Sequence, residues 1–218
     1  MEESTSREKV LKNIRNALIS KTTASYPDID FESSVYTELT DSLDIVFAEE
    51  FSKVEGQFVY CENEEDLISN LSILFTQRNW FNTFCLEAKI QKWLKQAEIS
   101  FSSLEVELLD MNVSVTFCEY LVARLGSIMV SSRHISGRKL NIYPPVHIVI
   151  AYSSQLVPDI KQALAGIKTR YNDQFPSLVS LITGPSRTAD IEKTLVMGAH
   201  GPKELFVFLI DDNPIEGN

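Results

Sequence analysis

The sequence is poor in cysteine: three thiols in 218 residues, with no Cys-x-x-Cys pair. Cys61, Cys85 and Cys118 lie far apart in apolar, strand-like contexts and read as small buried thiols rather than a disulfide framework. Such scatter leaves out the clustered thiolates that hold iron–sulfur clusters and most structural zinc sites, so no metal and no cofactor are expected in this chain. Basic residues are also short: 20 Lys and Arg stand against 30 Asp and Glu, a formal net charge of −10. Duplex nucleic acid is bound by clustered cations that neutralise phosphates, so nucleic acid is not an expected partner. Long apolar runs are missing as well. The runs at Val146–Ile150 and Leu205–Ile210 are far shorter than the roughly 20 residues a membrane span needs, and read as buried strands. The charged start Met1–Lys9 lacks the basic-then-apolar order of a signal peptide, which points to the cytoplasm. Finally, no Gly-x-Gly-x-x-Gly is present to support a dinucleotide site.

What is present is enough apolar material, 44% of residues, to bury one full core. Val10, Leu11, Ile14, Leu18 and Ile19 recur at helical spacing, with a cap near Thr5 or Ser6. Lys21 to Thr40 has little periodicity and reads as a linker or surface arm. Residues 1–40 are thus an amino-terminal helix and arm, and 41–218 the α/β domain. Leu43, Val46, Phe47 and Phe51 fit a helix and Phe58–Cys61 a strand, while Asn63 before Glu64, Glu65 and Asp66 marks a helix start. A strand at Thr83–Leu86, a helix carrying Ile90, Trp93 and Leu94, and a strand around Val113–Val115 continue the alternation. This rhythm predicts a mostly parallel sheet of about seven strands in all, covered by helices on both faces. Gly126–Val130 and Val146–Tyr152 flank a segment suited to an antiparallel excursion. A helix from about Pro158 to Thr169, a strand Leu178–Ile182, a helix Thr188–Met197 and a strand Leu205–Ile210 complete the expectation.

Thr183 to Glu192 leaves a strand, turns through Gly184-Pro185 and is predicted to open a helix under Ser186 and Thr188. The unpaired N–H groups of a helix start, a glycine that admits a ligand, and Arg187 together suit an anion. A capped junction with a solvent-facing arginine accounts for the local pattern equally well. Asp190 and Glu192 fit the first turn of that helix on dipole grounds alone. A second Gly-Pro turn, His200-Gly201-Pro202-Lys203-Glu204, precedes the last strand, and the two turns could meet at one sheet edge. Ligands of open α/β sheets favour the carboxyl ends of strands, which suits the Gly184 turn better than the His200 turn.

The string Gly184–Glu192 followed by Leu195–Leu205 resembles the closing signature of the LUD-domain family of lactate-utilization proteins. Pro144–Val149 and Gln155–Asp159 match the same order, so the resemblance covers most of the chain. It implies a fold like that of the glucosamine-phosphate deaminase, ribose-phosphate isomerase and CoA-transferase group. It also implies a place in oxidation of L-lactate to pyruvate beside partner proteins that carry the iron–sulfur clusters. An anion-binding accessory subunit is the expectation; the alternative is an enzyme acting on a phosphorylated or CoA-linked compound. Where relatives show an Ala-Glu-Thr-Gly-Thr type sequence, this chain has Ala123-Arg124-Leu125-Gly126-Ser127, which puts a cation in place of the carboxylate. Glu119 could compensate but reads as a surface acid. Arg133, His134, Arg138 and Lys139 form a basic run that Arg124 could join around an anionic ligand; a solvated hairpin explains them too.

Overall fold

The computed structural model describes residues 5–19, 36–136, 140, 142–172, 174–189, 195–197 and 201–212. Two compact units divide between Glu38 and Leu39. The described part of the first is helix α1 (Ser6–Ile19), which buries none of its residues. Thr5 and Glu8 close a reciprocal capping box at its start: the Thr5 amide donates to Glu8 Oε2 at 2.8 Å and the Glu8 amide to Thr5 Oγ1 at 3.3 Å.

In the second unit, α2 (Leu43–Lys53) precedes β1 (Gln57–Cys61), α3 (Glu64–Arg78), β2 (Thr83–Phe84), α4 (Ala88–Gln96), β3 (Phe101–Ser102) and β4 (Val113–Phe117). Then come β5 (Tyr120–Val122), β6 (Ser127–Ser131), β7 (Val146–Tyr152), β8 (Leu156–Val157), α5 (Ile160–Tyr171), β9 (Val179–Ile182), β10 (Arg187–Ala189), β11 (Leu195–Met197) and β12 (Glu204–Ile210). The caps behave as the sequence suggests. Asn63 Oδ1 accepts from the Asp66 amide at 2.9 Å, and Asp159 accepts from the Lys161 and Gln162 amides at 2.8 and 3.3 Å.

The central sheet is parallel throughout its six strands, in the order β1-β12-β7-β4-β2-β3. Its middle strands are apolar on both faces, as parallel strands between two layers must be. On one face Val115, Ile148, Ile150, Phe206 and Phe208 pack against Leu67, Leu71 and Phe75 of α3 and Ile90, Trp93 and Leu94 of α4. On the other, Val149, Ala151, Val207 and Leu209 pack against Phe47 and Phe51 of α2 and Leu121, Ile128 and Val130 of a second sheet. That sheet has the order β8-β5-β6-β9 and carries Ala163 and Ile167 of α5 on its far side.

The structure departs from the sequence reading in three places. The excursion is antiparallel on one flank alone: β6 pairs antiparallel with β5 and β9, whereas β7 lies inside the parallel sheet. The predicted helix Thr188–Met197 contains two strands, β10 and β11, paired antiparallel from Arg187↔Met197 to Ala189↔Leu195. β-branched Thr188, Ile191, Thr194 and Val196 suit a strand as well as a helix, so the apolar spacing there did not decide the period. Last, the described residues hold twelve strands rather than about seven, several of only two or three residues.

Candidate functional site

Two edges of the sheet collect polar groups. At the amino ends of β7 and β12 the two Gly-Pro turns meet: the Ser186 amide donates to the Pro202 carbonyl at 2.8 Å. A Cβ on Gly201 would stand 3.0 Å from Ser186 Cβ, a tight contact between the two turns. The Lys203 amide donates to the Pro145 carbonyl at 2.7 Å. Gly184 has φ +72°, and a Cβ there would lie 2.2 Å from the Val54 carbonyl oxygen. Arg187 Nη2 donates to that same oxygen at 2.7 Å and lies 3.5 Å from Glu55 Oε2, so its guanidinium closes the end of α2. The helix start expected to supply anion-binding donors is replaced by β10, whose amides serve a ladder. Thr188 belongs to that strand; Asp190, Glu192 and His200 lie outside the described residues.

The Arg124 turn stands at the same end of the second sheet. Ser127 Oγ lies 2.8 Å from Thr183 Oγ1, and the Arg124 amide donates to the Pro158 carbonyl at 3.2 Å. Gly126, φ +53°, lets this turn press on α2, where a Cβ would meet Phe51 N at 2.3 Å. Arg133 and His134 follow the opposite end of β6, about 15 Å along an extended strand, so they do not gather with Arg124. Arg133 instead donates to the Gln174 carbonyl at 2.6 Å. Arg138 and Lys139 lie outside the described residues.

The carboxyl edge carries the chemistry that sequence reading missed. Glu119, read as a surface acid, is fully buried just past β4. Its carboxylate accepts from Ser131 Oγ at 2.5 Å, Tyr171 Oη at 2.8 Å and Arg170 Nη1 at 2.7 Å, with His134 Nε2 at 3.2 Å. Burial alone would push this carboxyl up, but His134, Ser131 and Tyr171 outweigh it and hold it at about 2. Glu119 is therefore an ionised anchor tying the β6 end and α5 to the central sheet.

Glu87 is the opposite kind of carboxylate. It stands at the start of α4, is only 7% exposed, and makes no side-chain cap bond to that helix. Oε2 lies 3.8 Å from Cys85 Sγ, whereas Oε1 makes no close hydrogen bond among the described residues. Burial raises its pKa, against the favourable pull of Ser136, the Phe117 backbone and His134. His134 thus acts on both carboxylates.

The topology explains why these groups converge. β2 and β4 are neighbours, yet α4 after β2 packs on one face of the sheet, while the chain after β4 packs on the other. Loops that part to opposite faces mark a topological switch point at the carboxyl ends, where ligands of open α/β sheets are favoured. Beside it, Lys89 Nζ lies 2.6 Å from Tyr152 Oη and 2.8 Å from Glu64 Oε1, and 4.9 Å from the Trp93 ring centre. Deeper in the sheet, His147 Nε2 lies 2.9 Å from Thr116 Oγ1, and complete burial lowers its pKa to about 3, keeping it neutral.

This is an open α/β protein with a topological switch point between β2 and β4. The chain belongs to the LUD domain family, whose model matches residues 46–210. It is 38% identical over 103 residues to lactate utilization protein C of Bacillus licheniformis, covering 46% of this chain and 43% of that one. It is 29% identical over 189 residues to the protein of that name from Halalkalibacterium halodurans, covering 79% of this chain and 81% of the relative. The Macrococcus caseolyticus protein of that name is 37% identical over 103 residues, covering 46% of this chain and 45% of its own. The chain thus spans less than half the length of the Bacillus and Macrococcus relatives in these matches. A crystal structure of a DUF162 family protein from Deinococcus radiodurans shares the fold, with a TM-score of 0.56 at 17% identity over 77% of this chain and 96% of that one.

Proposed function

We propose that this chain serves lactate utilization in the cytoplasm, as an accessory subunit that works beside iron–sulfur partner proteins in oxidising L-lactate to pyruvate. The observation that carries the reading is its identity to lactate utilization protein C, 38% over one 103-residue stretch and 29% over a 189-residue alignment. The chain's own part is binding rather than electron transfer. Cys61, Cys85 and Cys118 are separately buried, and burial raises each thiol, Cys61 to about 11, which disfavours the thiolate a cluster needs. Anion binding at the amino-edge turns rests on Lys203, exposed beside the Ser186–Pro202 contact, and on residues around Gly184.

The test is purification of the full chain, tagged, from its own organism grown on L-lactate, paired with deletion of its gene. Iron–sulfur proteins should come with the chain, and growth on L-lactate should fail without it. A chain that purifies alone and is dispensable for that growth would overturn the reading.

A second reading, an enzyme for a small phosphorylated or CoA-linked compound, is favoured by Glu87. A buried carboxylate with a raised pKa next to a histidine is suited to proton transfer. Turnover by the purified single chain, lost in Glu87→Gln, would establish it.

A further inference from the structure

Among the described residues, two apolar surfaces are uncovered, and they carry opposite charge. The first is one face of α1. Val10, Leu11, Ile14 and Leu18 fall on one side of the helix, and each is at least half exposed. A helix of 14 residues is marginal in water by itself, and covering such a face supplies most of its stability. Arg7, Lys9, Lys12 and Arg15 stand against Glu8 alone, so α1 is a basic helix in a chain whose net charge is −10.

The second surface lies beyond β3. Glu105–Asp110 forms a 3-10 turn, in which side chains three residues apart eclipse. Leu108 turns inward onto Phe84, while Val106 and Leu109 stand together in solvent, 86% and 77% exposed. Asn82 Nδ2 donates to the Asp110 carbonyl at 3.4 Å, which ties the exposed Phe81 beside it to the same rim. Glu105, Glu107 and Asp110 interleave with these apolar groups, and no Lys or Arg occurs between Lys95 and Arg124. An exposed apolar strip inside a polar rim marks a contact surface.

The two surfaces match in kind: an apolar stripe flanked by cations and an apolar strip flanked by carboxylates. Both are exposed in the single chain, so a second copy is the occupant that covers them. We propose that two copies exchange their amino-terminal helices, the Val10–Leu18 face of each lying on Val106 and Leu109 of the other, with its cations against Glu105, Glu107 and Asp110. The exchange closes with twofold symmetry and uses each surface once, so it stops at a dimer. Each contact is small, and the first raises the effective concentration for the second. The dimer does not depend on the lactate-utilization reading.

Sedimentation velocity of the full chain over a range of concentrations tests it. A reversible monomer–dimer equilibrium is expected. Ile14→Asp, and separately Val106→Asp with Leu109→Asp, should each weaken dimerisation at least about tenfold at an unchanged melting temperature, since all three positions are exposed. Should Ile14→Asp unwind the helix, Lys12→Glu with Arg15→Glu keeps the apolar face; it should weaken the dimer as well, and Glu105→Lys with Glu107→Lys in the same chain should restore it. An equimolar mixture of the Ile14→Asp chain and the Val106→Asp, Leu109→Asp chain should dimerise more than either alone, because one intact helix still meets one intact strip. A chain that stays monomeric at every concentration, or a mixture no more associated than its parts, would overturn the proposal. So would a dimer indifferent to the Val106 and Leu109 changes, in which helix pairs with helix. Monomers that float with phosphatidylglycerol vesicles would give α1 to a lipid surface instead and overturn it too.

Discussion

The two ends of the central sheet hold their polar residues for different purposes. At the amino edge, Gly184, Arg187, Ser186 and Gly201 use their special geometry on neighbouring backbone: Val54 carbonyl for two of them, the Ser186–Pro202 contact for the others. At the carboxyl edge, Glu119 accepts three hydrogen bonds with His134 Nε2 at 3.2 Å, and Glu87 is buried at the start of α4, where burial raises its pKa.

If Glu119 is an anchor, removing it should have the largest effect. Glu119→Ala takes away the acceptor for Ser131, Tyr171 and Arg170 at once. Arg170 is 43% exposed and can turn to water, so the expected loss is about 3 kcal/mol, at the low end for a broken buried pair. Chemical denaturation measures it; a loss under about 1 kcal/mol would show that the network is incidental. The acid limb of stability checks the same point. The Glu119 carboxyl is held at about 2 against an ordinary 4.5, so the unfolded chain takes up this proton first as pH falls. Its contribution is complete above about 4.5 and is lost as pH falls toward about 2; Glu119→Ala should flatten that part of the curve.

Next in size is Gly184→Ala. It puts a side chain at φ +72° and drives a Cβ to 2.2 Å from the Val54 carbonyl oxygen, which is backbone and cannot swing aside. A destabilisation of about 2–3 kcal/mol is expected, read as a lower denaturation midpoint with an unchanged slope. A neutral result would mean that α2 is not held by this turn and would weaken the description of the amino edge as a joint.

The sequence made much of the fold legible because local signals agreed with the global one. The Asn63 helix start, the helix beginning near Pro158 and the apolar strands at 146–150 and 205–210 each read correctly for a physical reason close to home in the chain. The strand at Leu178–Ile182 was legible, but the second sheet it joins was not, since β5 and β8 are only three and two residues long and pair with each other across the sequence. The carboxyl-edge site was illegible for a similar reason. Glu119 meets Ser131, Arg170 and Tyr171 from 12, 51 and 52 residues away, and no spacing rule brings those together. One signal was available: Glu87 and Glu119 each follow a strand within two or three residues, where an open parallel sheet places its ligands.

Arg187→Ala should have the smallest effect, and it decides how far the contrast between the edges goes. The guanidinium is 35% exposed and its partner Glu55 58% exposed, so the ion pair itself is worth little in water. What remains is one charge-assisted bond to the Val54 carbonyl at the end of α2, which solvent can replace in part once the side chain is gone. The expected loss is about 1 kcal/mol or less, with Arg187→Lys smaller still. If Arg187→Ala folds with nearly full stability and the organism still grows on L-lactate, the arginine only finishes a helix, and function lies at the other end of the sheet. If the variant is equally stable but growth on L-lactate stops, the amino edge works as more than a joint. That outcome would support the anion binding proposed for the Gly-Pro turns, where Lys203 is exposed, and the division between a structural edge and a chemical edge would fall.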